Sequence, residues 1–190
     1  IKIGDEVVND VKPIWVEPRN QVTEEQYESF YQHLTHHQEE KPLWKLHLSY
    51  DSPIQFRALL YCPPNNLENL GFGRLDHGMK LLSKRILVQG DCRDLVPGYL
   101  RFLHGLVDSE DLPLNVSRET LQDSTLVRKI RGIVVKAVLE HLRKLADEDP
   151  TVFEQFINQF GPILKEAIHE DFPNREMVAR LLRFDSSRAE

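Results

Sequence analysis

The hydrophobic period of this chain changes from two residues to about 3.6 residues between its first and second halves. Every second residue from Trp44 to Tyr50 is apolar, a pattern typical of a strand with one buried face. From Leu126 to Leu142 the apolar residues recur three and four positions apart, which predicts a long amphipathic helix. The chain therefore combines a sheet with helices that cover it.

The first half contains one predicted helix and three predicted strands. Thr23 and Gln26 form the sequence pattern of a capping box, so a helix begins there and ends before Pro42. The predicted strands are 44–50, 54–62 and 81–89. These elements indicate a short mixed sheet.

The rest of the chain is predicted to be helical, apart from a polar loop over 108–115. The predicted helices are 96–106, a long helix after Ser124, a helix from Pro150 that closes at Gly161–Pro162, and two shorter helices over 163–169 and 175–183. We therefore predict an α/β fold, with an α-β-α sandwich around the mixed sheet in residues 1–122. A helical subdomain, truncated at its C-terminal end, follows in residues 123–190.

Charge and composition restrict the possible functions. The 190 residues include 24 Lys and Arg and 30 Asp and Glu, for a net charge of −6, which makes a general affinity for nucleic acid or anionic membranes unfavourable. No apolar run approaches the ~20 residues that a membrane helix needs. The first residue is Ile1, without a signal-peptide pattern, so the chain is expected to be part of a longer protein.

Two potential catalytic motifs are weak. Gly71 and Gly73 suggest a nucleotide-binding loop, but Asp76 stands where that fingerprint needs glycine, and no strand directly precedes it. Cys62 and Cys92 could be nucleophiles only beside a base, and the sequence shows none. Two cysteines are too few for a disulfide framework or a thiolate zinc site, and they fit a reducing compartment.

No metal site is predicted. His33, His36 and His37 have the spacing of possible ligands on one helix, but no carboxylate or thiolate is arranged around them. A solvated helix face is the preferred interpretation of these three histidines.

Trp15 lies in an irregular leader between Pro13 and Pro18. The leader has no hydrophobic periodicity, so the sequence pattern does not indicate whether this side chain is buried. An exposed tryptophan would be an anchor for another polypeptide, since its large ring buries much apolar area. The alternative is simple packing of the ring against the sheet, and the residues by themselves leave both interpretations open.

The polar, proline-containing segment 107–122 is the most informative stretch. It enters a helix through Ser117, and Arg118 then stands in the first turn, where a cation opposes the helix dipole. An anion brought from elsewhere would balance this charge, because the helix N-terminus and the guanidinium could hold it together. Gln122 lies one turn further on the same face. The alternative is an exposed Arg118 paired with a nearby acid.

This segment, with the sequence DSEDLPLNVSRETLQDS, resembles the catalytic loop in the middle domain of the heat-shock protein 90 family of chaperones. The stretches YLRF and ARLLRF and the leader VKPIW are also similar to that domain, so the resemblance covers nearly the whole chain. The stretches NVSRE and QDST within this segment are most similar to the bacterial, HtpG-type form. The segment 63–80 departs from the family pattern, which usually has aromatic residues after the second strand.

The resemblance implies a role for each candidate site residue. Arg118 is expected to reach the γ-phosphate of ATP, which is bound with Mg by an N-terminal domain absent from this chain. Gln122 is expected to support that site. Leu112 and Leu114 are expected to contact the N-terminal domain, and Trp15 is expected to contact client proteins.

The resemblance also implies the wider function: a cytoplasmic, stress-related chaperone that assists protein folding and works as an ATP-hydrolysing homodimer. Its partners would be client proteins and its own N-terminal and C-terminal domains, without nucleic acid or membrane. The fragment alone is expected to hydrolyse nothing. Two alternatives remain: a protein-interaction module without a catalytic contribution, and a free-standing hydrolase that uses Cys62 or a histidine.

Overall fold

A mixed five-stranded sheet organises the fold in the computed structural model. The strands are β3 (Trp44–Tyr50), β4 (Phe56–Cys62), β5 (Gly78–Ser83), β6 (Ile86–Gln89) and β7 (His104–Ser109), in the order β3-β4-β7-β5-β6. β5 and β7 are parallel and the other neighbours are antiparallel. Two short strands, β1 (Lys2–Ile3) and β2 (Glu6–Val7), form a separate pair. The structure describes residues 2–3, 6–7, 12–36, 39–71, 78–113 and 124–182.

Helices cover both faces of the sheet. They are α1 (Glu24–Thr35), α2 (Thr125–Glu148), α3 (Pro150–Lys165), α4 (Ala167–Glu170) and α5 (Arg175–Leu181). α1 packs through Tyr27, Tyr31 and Leu34 against Leu59 and Tyr61 of β4. The main core, on the other face, joins the sheet to α2, α3 and α5. These layers confirm the predicted α/β sandwich with a mixed sheet.

The start of α1 and the bounds of β3 follow the predictions from the sequence, but α1 covers part of the face of β3 that the sequence predicts to be polar. The Thr23 hydroxyl accepts a hydrogen bond from the Gln26 amide at 3.3 Å, and the Gln26 side chain accepts one from the Thr23 amide at 2.8 Å. In β3, Trp44 and Leu48 lie in the main core. The intervening His47 contacts Tyr27 of α1, because successive strand residues point to opposite faces.

The predicted strand over 81–89 is wrong, since this segment is the end of one strand and the whole of another. β5 and β6 form a hairpin in which Ser83 pairs with Ile86. The two turn residues, Lys84 and Arg85, have positive φ angles of 50° and 68°. Two-residue hairpin turns need this conformation and usually take Asn or Gly, so the Lys-Arg sequence carries no turn signal.

The predicted helix over 96–106 is also wrong. A 3-10 turn at Gly98–Leu100 precedes β7, which begins at His104 and includes the first two residues of the predicted loop. Gly105 has a φ of 153°, and a side chain there would collide with the Leu59 carbonyl oxygen. Hydrogen bonding to both β4 and β5 overrides the helical spacing of the apolar residues.

The predicted end of α3 at Gly161–Pro162 is wrong as well. The helix continues to Lys165 with Pro162 in its interior. Pro162 removes one helical hydrogen bond, and burial of Phe160, Ile163 and Leu164 offsets that loss. Residues 163–165 therefore belong to α3, and only Ala167–Glu170 forms the short helix that follows.

The sheet and the later helices share one hydrophobic core. Leu60 of β4, Ile130 of α2 and Phe156 of α3 are fully buried members of it. The predicted division between residues 1–122 and 123–190 falls outside the described residues and stays a prediction. Within the described ranges, no helix is long and apolar enough to cross a membrane.

Candidate functional site

The segment singled out in the sequence, 107–122, starts on β7, and α2 follows it. β7 lies in the middle of the sheet, with β4 on one side and β5 on the other. α2 begins after Ser124, whose hydroxyl accepts a hydrogen bond from the Val127 amide at 3.4 Å. Both flanking elements contribute to the main core, so the segment is attached to rigid structure. Three of its predicted site residues lie outside the described residues: Leu114, Arg118 and Gln122.

Three hydrogen bonds fasten the start of this segment. The Asp111 carboxylate accepts one from the Gln55 amide at 2.8 Å, and the Ser109 hydroxyl donates one to the Gln55 carbonyl at 2.9 Å. The Ser83 hydroxyl donates one to the Leu112 carbonyl at 2.5 Å. The chain from β7 to Leu112 is therefore held in place by the end of β5 and by Gln55, directly before β4.

Leu112 lies in the main core, with 2% of its surface exposed. The sequence predicts that it contacts another domain. In the described conformation its side chain packs within this chain, so such a contact requires the segment to move outward. The domain contact of Leu112 stays a prediction.

Trp15 is half-buried beside the sheet. Its indole Nε1–H donates a hydrogen bond to Asp108 Oδ2 at 3.0 Å, and its ring lies 5.5 Å from the Phe30 ring, centre to centre. Its carbonyl oxygen is 3.1 Å from His47 Nε2. The leader is thus docked on the face that α1 covers, and part of the indole remains accessible to solvent.

Asp108, within β7, connects the leader to the β5–β6 hairpin. It is 6% exposed, and its second oxygen accepts a hydrogen bond from the Arg85 amide at 3.1 Å. One carboxylate therefore joins Trp15, the β5–β6 hairpin and β7. Sequence reasoning missed Asp108 because it was assigned to a solvated loop, and only its position directly after an apolar run could have indicated burial.

His47 is a second functional candidate that the sequence did not indicate. It is 5% exposed, and Nε2 must donate to the Trp15 carbonyl, since a carbonyl only accepts. Nδ1 therefore accepts a hydrogen bond from the Tyr27 hydroxyl at 2.8 Å. Desolvation lowers the pKa of His47, so the neutral ring is favoured in the folded protein.

We expect the free energy of unfolding to fall when the pH is lowered through about 6.5, the ordinary histidine pKa. Below that pH, His47 becomes protonated in the unfolded chain, whereas in the folded protein its lowered pKa keeps the ring neutral. Burial also lowers the pKa of His141, which acts in the same direction. Each histidine changes the free energy of unfolding by at most about 1.4 kcal/mol per pH unit.

Urea unfolding at several pH values checks this expectation. His47→Gln should reduce the pH dependence, whereas the exposed His33→Gln serves as the control and should leave it as in the unmodified protein. An identical pH dependence in His47→Gln and the unmodified protein would contradict the role of His47.

Arg101 forms a buried ion cluster on the main-core side. The residue is 6% exposed and pairs with Glu68 at 2.8 and 3.0 Å and with Glu166 at 2.7 and 2.8 Å. Hydrogen bonds to these carboxylates raise the pKa of Arg101, despite its burial. The cluster ties the 3-10 helix Leu67–Leu70 to Glu166, directly after α3, and is structural, because both edges of the guanidinium are occupied by carboxylates.

The two cysteines are buried free thiols, which confirms the sequence interpretation. Desolvation raises the pKa of Cys62 well above its ordinary value and that of Cys92 to about 11. Both are therefore protonated and weakly nucleophilic at neutral pH. The described part of the chain contains no cluster of three His, Cys, Asp or Glu residues that could hold a metal ion.

Comparison with protein families and solved structures identifies similar proteins across the whole chain. A family model described as "Hsp90 protein" matches residues 1–190. The solved middle domain of a Plasmodium falciparum heat shock protein superposes with a TM-score of 0.77 and 28% sequence identity, covering 90% of this chain and 65% of that chain.

Curated relatives are similar in sequence and much longer. The chaperone protein HtpG of Desulfitobacterium hafniense is 42% identical over 188 residues, which cover 99% of this chain and 30% of that protein. The chaperone protein HtpG of Nitratidesulfovibrio vulgaris is 46% identical over 187 residues, which cover 98% of this chain and 29% of that protein. The chain thus spans about 30% of the length of these relatives.

Proposed function

The chain belongs to the Hsp90 family and has the fold of its middle domain, and we propose that it supplies Arg118 to ATP bound by a separate N-terminal domain of the same chaperone. The observation that supports this proposal is the attachment of segment 107–122. It runs between β7 and α2, which both belong to the main core, so a residue within it can be presented outward from a rigid base.

Arg118 would stabilise the charge that develops on the γ-phosphate during hydrolysis. In phosphoryl transfer a protein contributes mainly positioning and electrostatic stabilisation, and an arginine finger is a recurrent way to supply both. Gln122, four residues on, would support the same site. ATP and Mg would be held by the N-terminal domain. This role is tested by measuring ATP turnover and ATP binding in parallel for a full-length variant in which Arg118 is replaced.

Leu112 and Leu114 would contact the N-terminal domain when the two domains close on each other. Leu112 would first have to leave the core position in which it is buried. The full-length protein would be a cytoplasmic homodimer that assists the folding of client proteins, with this chain between the nucleotide-binding and dimerising domains.

Trp15 supports a second function, the binding of client proteins. Its indole is anchored by a hydrogen bond to Asp108 and its backbone carbonyl by one from His47, so its partly exposed ring is held in place. Anchored aromatic side chains are frequent hot spots of protein interfaces, since little entropy is lost when they are covered. If Arg118 proves dispensable for hydrolysis, client binding alone would remain as the function of this chain.

Trp15→Ala is expected to weaken the binding of an unfolded client protein about tenfold or more, as removal of an aromatic hot spot does. Trp15→Phe keeps an apolar ring and loses only the hydrogen bond to Asp108, so it should retain most of the affinity. Titration of a labelled unfolded protein checks both variants. Equal affinity of Trp15→Ala and the unmodified protein would contradict the client-binding role.

A further inference from the structure

A cavity of about 260 Å³ opens beyond the end of β4, away from the described residues 107–113 and from Trp15. The C-terminal half of α1, the segment from Pro63 to Glu68, the turn before β7 and the end of α3 enclose it. The volume equals the liquid volume of roughly nine water molecules, which suits a ligand of about ten non-hydrogen atoms. Among the described residues of the proposed function, neither Trp15 nor Leu112 lines this cavity.

One side of the cavity is an aromatic and aliphatic wall. The rings of Phe102 and Phe160 lie 4.7 Å apart, centre to centre, and Ile163 completes the wall. Leu67 also lines the cavity and is 39% exposed. A flat apolar ring would bury its surface against this wall, as ligands do in small-molecule sites.

Tyr31 adds a polar group that lacks a partner. Tyr31 is 0% exposed, and its hydroxyl has no hydrogen-bond partner among the residues that the structure describes. A buried hydroxyl without a partner is unfavourable and uncommon, and it often marks a position that a ligand or a water molecule completes. Because Tyr31 lines the cavity, a molecule bound there could provide the missing hydrogen bond.

The charges around the cavity determine which ligand fits. Arg101 lines it, but its guanidinium is already paired with both Glu68 and Glu166 and is not available to an anion. Glu40 also lines the cavity, and no ion pair joins it to any residue the structure describes. Its carboxylate contributes to the raised pKa of Tyr31, after desolvation, which agrees with the two groups being close.

We propose that this cavity binds a small aromatic amine. The ring would pack on the wall formed by Phe102, Phe160 and Ile163, and the ammonium group would pair with the Glu40 carboxylate. The ammonium would also donate a hydrogen bond to the Tyr31 oxygen. Carboxylate, hydroxyl and aromatic wall together favour a cation with an apolar body over a neutral or anionic molecule of the same size.

Calorimetric titration of the 190-residue chain with three small probes tests the charge preference. 2-Phenylethylamine should bind saturably, at millimolar concentrations or below. 2-Phenylethanol, which has the same size without the charge, should bind at least tenfold more weakly, and 3-phenylpropionate should show no saturable binding. Equal affinity for the amine and the alcohol, or no binding of the amine at 20 mM, would overturn the proposal.

Two variants test the residues. Glu40→Gln should weaken amine binding at least tenfold and make the amine and the alcohol equivalent. Tyr31→Phe should weaken amine binding about threefold or more and should stay folded, because it removes only a hydroxyl that no described residue hydrogen-bonds. Glu154→Gln on the exposed face of α3 is the matched control and should bind the amine as the unmodified chain does. Unchanged amine affinity in Glu40→Gln would show that the amine binds elsewhere and would overturn the proposal.

Discussion

Replacement of Arg118 by alanine should slow ATP hydrolysis by the full-length protein by a factor of about 10³ to 10⁵, the range that arginine fingers supply. ATP binding should change little, because the guanidinium would meet the γ-phosphate mainly as charge develops in the transition state. Steady-state turnover and equilibrium nucleotide binding, measured on the same preparations, separate the two effects.

Arg118→Lys should recover little of the lost rate, since an ammonium group lacks the planar fork that contacts two phosphate oxygens. Arg128→Ala is the matched control. Arg128 lies on the exposed face of α2, close in sequence, and its side chain donates a hydrogen bond to the Thr125 hydroxyl at 3.4 Å. Turnover of Arg118→Ala within about threefold of the unmodified protein would exclude the proposed catalytic contribution.

Replacement of Arg101 by leucine should lower the free energy of unfolding by about 3 kcal/mol, the lower end of the range for breaking a buried ion pair. Two carboxylates would lose their ion pair with Arg101: the side chain of Glu68 is 17% exposed and that of Glu166 is 35% exposed. The greater exposure of Glu166 lets water compensate part of the loss. Chemical denaturation at neutral pH measures the change.

The destabilisation in Arg101→Leu should diminish at acidic pH, where the carboxylates of Glu68 and Glu166, deprived of the guanidinium, can take up protons. The triple variant that also carries Glu68→Gln and Glu166→Gln should recover part of the stability for the same reason. Arg180→Leu breaks an exposed pair with Glu176, whose side chains are 75% and 82% exposed, and should change stability by no more than about 0.5 kcal/mol. A loss below about 1 kcal/mol in Arg101→Leu would contradict the structural role of the cluster.

Local patterns predicted α1 and β3 correctly because the information lies within a few residues. The capping box of α1 joins Thr23 to Gln26, only three positions away. The segment 107–122 was found in the same way, since its proline, its helix cap and Arg118 are contiguous. Its attachment to Ser83 and Gln55 was not visible, because those residues lie elsewhere in the sequence.

β7 shows where local patterns were insufficient. Leucines at 100, 103 and 106 have helical spacing, yet pairing with strands on both sides makes the segment extended. The Lys84–Arg85 turn was missed because its positive φ angles are imposed by the hairpin rather than favoured by the residues. In both places hydrogen bonds to distant strands outweigh a weak local preference.

The order of the amino acids along the chain was sufficient for the class of fold, for the burial of the two cysteines and for the segment that carries Arg118. It was not sufficient for the groups that act together from distant positions. Trp15 and Asp108 are 93 positions apart, and Arg101 reaches partners 33 and 65 positions away. Each of these charged and polar groups is at least partly buried away from water and needs hydrogen-bonding partners. Its neighbours in the sequence do not supply all of them, so folding must bring distant residues to it.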